Sequence, residues 1–127
     1  MMDPPKVLLE QSFLLALSDP RHVDHERCAA RYLDLVEEYR CERILLVAVS
    51  DHLDEFRGFW HRGMLAPVDR LWVGFQHRRA ARRLAATVGW PPAVELTLVM
   101  CERHRIRRMV TLDATFEQYD LELLPAG

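Results

Sequence analysis

The sequence predicts an α/β fold: a three-layer α/β/α arrangement with helices on both faces of a central, mostly parallel sheet of four or five strands. Three observations carry this reading. Short β-rich runs alternate with longer stretches of helical periodicity along the chain, the order that right-handed βαβ crossovers produce. The run Ile44-Leu45-Leu46-Val47-Ala48-Val49 is apolar without alternation, as a strand buried on both faces reads. A chain of 127 residues, half of them hydrophobic, can bury a full core, so residues 1–127 are expected to form one domain.

Lys6-Val7-Leu8-Leu9 reads as a first short strand, followed by a helical segment from Ser12 to Leu17. Ser18-Asp19-Pro20 marks a loop, and from Asp24 to Tyr39 the residues Cys28, Tyr32, Leu35, Val36 and Tyr39 recur at helical spacing. The central strand 44–49 leads into a helix capped by Ser50 or Asp51, with Leu53, Phe56, Phe59 and Trp60 as its inward stripe before Gly63. Leu71-Trp72-Val73 is the expected edge strand, and an arginine-loaded helix follows from Phe75 to Val88. Pro91-Pro92 opens a further helix with Val94, Leu98, Val99 and Cys101 on its buried face, ending near His104. Arg108 to Leu112 is a strand, Phe116 lies in a turn, and Leu121 to Leu124 supplies the last strand.

The three cysteines, Cys28, Cys41 and Cys101, form no CxxC pair, and the N-terminus lacks the basic-then-apolar order of a secretory signal, so a cytoplasmic protein is expected. Charged residues interrupt every apolar stretch well before the roughly 18 residues of a membrane span, so no membrane association is expected. Net charge is −2, but the middle of the chain is basic, with Arg57, His61, Arg62, Arg70, His77, Arg78, Arg79, Arg82 and Arg83. This patch reads either as a solvated helix face or as a rim that contacts phosphate through bidentate guanidinium groups. No glycine-rich phosphate loop or GxSxG elbow is present, which leaves nucleotide-cofactor and serine-hydrolase chemistry without support.

Ligands of open α/β sheets bind beyond the carboxyl ends of the strands, and the positions that reach that edge here are acidic. Glu10 follows the first strand and Asp113 follows the strand ending at Leu112, while Glu55 and Glu95 lie early in helices whose N-termini meet the same edge. Four carboxylates gathered without matching cations repel one another, and a hard divalent ion relieves the repulsion. Oxygen ligands without clustered thiolates point to Mg²⁺ or Mn²⁺, and such ions serve phosphodiester hydrolysis. Taken singly, each acid is equally well explained as a residue placed favourably near a helix N-terminus.

The opening Val7 to Leu17 with Asp19-Pro20 and His25, the spacing Ser50-x-x-x-x-Glu55, and the stretch Ala93-Val94-Glu95-Leu96-Thr97-Leu98 together resemble the PIN-domain family. So do Glu102-Arg103-His104, similar to that family's Arg-His/basic-Gly-Ile turn, and Val110-Thr111-Leu112-Asp113-Ala114-Thr115-Phe116, similar to its closing Thr-x-Asp-x-x-Phe. The resemblance runs from Val7 to about Leu124, with eighteen residues from Glu95 to Asp113 as the family pattern has them. It implies a VapC-type endoribonuclease dependent on Mg²⁺ or Mn²⁺: an RNA substrate, an antitoxin partner and a homodimer. Glu10, Glu95 and Asp113 would hold metal, Glu55 would complete the catalytic acids, and Ser12 and Thr111 would orient carboxylates. The two hydroxyls are equally well explained as local caps at strand ends.

The family usually carries aspartate where this chain has Glu10 and Glu95. Each substitution adds a methylene, so Glu10→Asp is expected to tighten Mg²⁺ binding where the longer arm strains the site, and to cost activity where the backbone has already adjusted to glutamate. The same departures define the alternative, a PIN-like protein that no longer cleaves and binds RNA or a protein partner. A nuclease acting on DNA ends or flaps is a third reading of the same chemistry. His22, His25, Cys28 and Cys41 form a candidate zinc set, His52 a candidate acid or base beside Glu55 or a surface residue, and Trp60, Trp72 and Trp90 candidate base-stacking or packing residues.

Overall fold

The computed structural model describes residues 3–56, 64–86 and 92–127. Five parallel strands form one sheet in the order β3-β2-β1-β4-β5: β1 (Lys6–Leu9), β2 (Leu45–Val49), β3 (Val68–Leu71), β4 (Arg108–Val110) and β5 (Glu122–Leu124). The helices are α1 (Gln11–Ser18), α2 (His25–Arg40), α3 (Ser50–Phe56), α4 (Phe75–Ala85) and α5 (Ala93–Arg103), with a 3₁₀ turn at Ala114–Gln118.

Side chains of a strand alternate between faces, and the central strands are apolar on both. Val7, Leu9, Leu46 and Ala48 join Phe13, Leu14, Tyr32, Leu35, Leu53 and Phe56 in one core, so α1, α2 and α3 cover that face. Leu8, Val47, Val49 and Leu71 join Ala81, Leu96, Val99, Met100 and Phe116 in the other, under α4 and α5. This is the three-layer α/β/α arrangement, and it explains why residues 44–49 show no alternation. Burial of each large aliphatic side chain contributes about 1.5–3 kcal/mol, so both layers are firmly attached to the sheet.

The differences from the expected elements have local causes. The edge strand is Val68–Leu71, not 71–73, because its hydrogen bonds to β2 pair Leu46 with Val68 and end at Val49 with Leu71. Trp72 and Val73 lie beyond the ladder. β4 stops at Val110 because the next backbone donors turn to side chains: Leu112 N donates to Ser12 Oγ and Asp113 N to Thr111 Oγ1, both at 2.9 Å. α4 ends at Ala85, where Ala86 adopts a left-handed conformation at φ 54°. Phe59, Trp60 and Gly63 of the expected α3 stripe, with Val88 and Pro91, lie outside the described residues. Among the described residues no helix is long and apolar enough to cross a membrane.

Candidate active site

The carboxyl ends of β1 and β4 are stitched together at one acid. Glu10 N donates to Val110 O at 3.0 Å, which fixes the residue after β1 to the last residue of β4. Its side chain is 3% exposed and caps α1, with Oε1 accepting from Ser12 N at 2.9 Å. The same oxygen accepts from Ser12 Oγ in a short contact and from Thr111 Oγ1 at 2.6 Å. A hydroxyl carries one hydrogen, so Ser12 and Thr111 both spend theirs on Oε1 and use lone pairs to receive Leu112 N and Asp113 N. Three donors thus converge on Oε1, while Oε2 makes no hydrogen bond among the described residues.

The other sequence-selected acids approach from separate elements. Asp113 caps the 3₁₀ turn, its Oδ1 accepting from Thr115 N at 2.9 Å. Glu55, exposed on α3, accepts from Gln11 Nε2 at 2.9 Å, so the residue next to Glu10 holds it. Glu95 lies in the first turn of α5, and its Oε2 is buried without a hydrogen-bond partner among the described residues. Because every strand is parallel, the starts of α3 and α5 belong to the same edge as the ends of β1 and β4. Glu10, Ser12, Thr111 and the Asp113 backbone form one hydrogen-bonded unit, Glu55 joins it through Gln11, and Glu95 has no hydrogen bond to it.

Charge pairing separates these acids from their neighbours. Asp51 is held by Arg78 at 2.8 and 3.3 Å, and Asp54 by Arg70. Glu10, Glu55, Glu95 and Asp113 enter no ion pair among the described residues. His52, expected either beside Glu55 as an acid or base or on the surface, is 5% exposed. Burial pushes its pKa below the ordinary histidine value and outweighs the opposing pull of Glu10, Glu55 and Asp51, so the ring stays neutral at pH 7 and brings the acids no compensating charge. Sequence periodicity missed its burial: β2 runs into α3 without a loop, so the third position of the helix is turned inward.

Oxygen donors alone, an unsatisfied buried carboxylate oxygen and no pairing cation fit a hard divalent ion in kind. Among the described residues no three His, Cys, Asp or Glu side chains stand at a spacing that closes around one ion, so holding it takes side-chain rotation. The zinc set does not form. His22 Nδ1 accepts from Asp24 N at 3.0 Å, His25 Nδ1 lies 2.8 Å from Ala16 O, and Cys28 is buried while Cys41 is exposed.

In sequence, no family model matches the chain, and no curated protein matches it. In structure it is similar to Mycobacterium tuberculosis VapC20, described as a Sarcin-Ricin loop cleaving toxin, with a TM-score of 0.61 and 15% identity over 87% of this chain and 92% of that one. This chain has the PIN-type fold. In that fold the carboxyl edge of the sheet, where Glu10 and Asp113 follow β1 and β4, is the place for a ligand.

Proposed function

We propose that this protein is a divalent-metal-dependent endoribonuclease of the PIN type, the toxin of a toxin–antitoxin pair, acting as a single cytoplasmic domain and a homodimer. The observation that carries the reading is Glu10: a buried carboxylate at the sheet edge with one oxygen fixed by three donors and the other without a hydrogen bond among the described residues. Such an arrangement presents one lone-pair direction and suppresses rotation of the group. Glu10, Glu95 and Asp113 would hold Mg²⁺ or Mn²⁺, with Glu55 completing the acidic set. The bound ion supplies charge neutralisation at a phosphate oxygen and a lowered pKa for water. Ser12 and Thr111 keep Glu10 oriented, Gln11 steadies Glu55, and neutral His52 closes the wall of the site without competing for the acids.

The second reading, a PIN-like module that binds RNA or a protein without cleaving, is favoured by one observation: no three potential ligands among the described residues close on an ion. Purified protein incubated with structured and unstructured RNA in Mg²⁺, Mn²⁺ or EDTA separates the two. The nuclease reading expects cleavage in either metal, none in EDTA, and loss of at least a hundredfold in Asp113→Asn and Glu95→Gln. Cleavage that survives both substitutions, or none in Mn²⁺ at any pH from 6 to 9, favours the second reading.

A further inference from the structure

We infer that Trp72 and Phe75 form a stacking platform for unpaired RNA bases flanking the cleaved bond, and that the outer face of α4 carries the adjoining phosphates. This rests on the ribonuclease reading, whose substrate it narrows to single-stranded RNA. Both rings are 70% exposed and stand three residues apart where the edge strand passes into α4. Trp72 is held in place: the Arg70 guanidinium lies 5.5 Å from its ring centroid, and Arg70 is itself fixed by Asp54. An indole pinned on one face by a cation, with most of its surface in solvent, loses little rotamer freedom when a base stacks on it.

Charge along the helix makes nucleic acid the occupant. From Phe75 to Ala85, α4 contains four arginines and no acid. Phe75, Arg79 and Arg83 follow at intervals of four and share the exposed face. Arg79 and Arg83 enter no ion pair among the described residues, whereas Arg78 is committed to Asp51. The position suits the chemistry as well. Leu71 is level with Val49 at the carboxyl edge, and β3 is two strands from β1, which places Trp72 about 10 Å sideways from Glu10 at the usual strand spacing. Nucleotides next to the reacting phosphate span that interval. An apolar protein surface would need no exposed Arg79 and Arg83 beside its aromatics.

The test is fluorescence anisotropy of a short labelled single-stranded RNA and of the same sequence as a duplex, in EDTA so that nothing is cut. Trp72→Ala is expected to weaken single-strand binding about tenfold or more, Phe75→Ala by a similar factor, and Trp72→Phe to retain most affinity. Arg79→Ala and Arg83→Ala should each lower the salt slope by about 0.7. Circular dichroism confirms that each variant is folded. Single-strand affinity unchanged in Trp72→Ala, or a duplex bound as tightly as the single strand, overturns the inference. A change in oligomeric state with RNA affinity unaltered does so too, and assigns the surface to a protein partner. Normal platform-dependent binding without cleavage in metal would instead sink the nuclease reading and leave the platform standing.

Discussion

At Glu10 the length of the side chain is in use. Its Oε1 takes donors both from Ser12 beside it and from Thr111 at 2.6 Å on the far side of the β1–β4 seam. An aspartate would keep the capping bond to Ser12 N, but a carboxylate drawn back by about 1.5 Å, one C–C bond, cannot also meet Thr111. These bonds favour the outcome in which the backbone is already fitted to glutamate. Glu10→Asp should lower stability by about 1–2 kcal/mol, through the hydroxyl left without its acceptor, and should reduce rather than improve metal-dependent cleavage. Urea unfolding together with cleavage rates checks this, and a faster, equally stable variant would show that the seam does not depend on the longer arm. His52 makes a second prediction. Its pKa is lowered in the folded state by burial, so as pH falls through about 6.5 the unfolded chain takes up a proton that the folded chain resists. Stability is therefore full above that pH and declines below it. In EDTA, His52→Gln should flatten the decline of the urea midpoint between pH 7.5 and 5. A remnant belongs to His104, held low by burial, Lys6 and His77. Identical slopes in the two proteins would mean that His52 protonates equally easily folded and unfolded.

The elements were legible where periodicity is strong and less so where a boundary depends on a partner. Cys28, Tyr32, Leu35 and Val36 fall on the buried side of α2, and β2 (Leu45–Val49) lies inside the sheet between β3 and β1, because apolar spacing alone decides such positions. The start of β3 was not legible, since pairing with Leu46 rather than any local preference begins it at Val68. Nor was the end of β4, which depends on a serine hydroxyl a hundred residues away. At the candidate site the acids stood out by type and spacing, whereas the inward turn of His52 and the ion pairs that occupy Asp51 and Asp54 depend on packing. The turn after α5 gives a prediction at this scale. Arg105 has φ 55°, and Ile106 N closes the helix end on Cys101 O at 2.8 Å. A left-handed conformation costs an L-residue about 1–2 kcal/mol, partly offset by the greater unfolded-state freedom of glycine. Arg105→Gly should thus stabilise by about 0.5–1 kcal/mol, read as a rise of a few degrees in Tm, with Arg105→Ala giving none. Equal gains from both would assign the effect to the lost charge instead of the backbone.

Across the whole molecule, a net charge of −2 conceals a separation of roles. Arginines on β3 and α4 neutralise Asp54 and Asp51, while the four acids from β1, α3, α5 and the end of β4 have no such pairing among the described residues. Keeping unpaired carboxylates at one edge costs folding free energy, and a cation that binds only the folded chain returns it. Ion concentrations a hundredfold above Kd should contribute about 2.7 kcal/mol, a rise of roughly 8–13 °C in Tm for a domain of this size. Mn²⁺ is therefore expected to raise the Tm of the native protein in a concentration-dependent way. Asp113→Asn and Glu95→Gln should start from a Tm at or above the native value in EDTA, because each removes one repelling charge, and then gain little from Mn²⁺. Glu117→Gln, outside the acidic set, should behave like the native protein. The discriminating quantity is the difference between each protein's Tm with and without metal. If that difference is the same in all four proteins, the ion binds elsewhere on the surface and the acids at the sheet edge do not form its site.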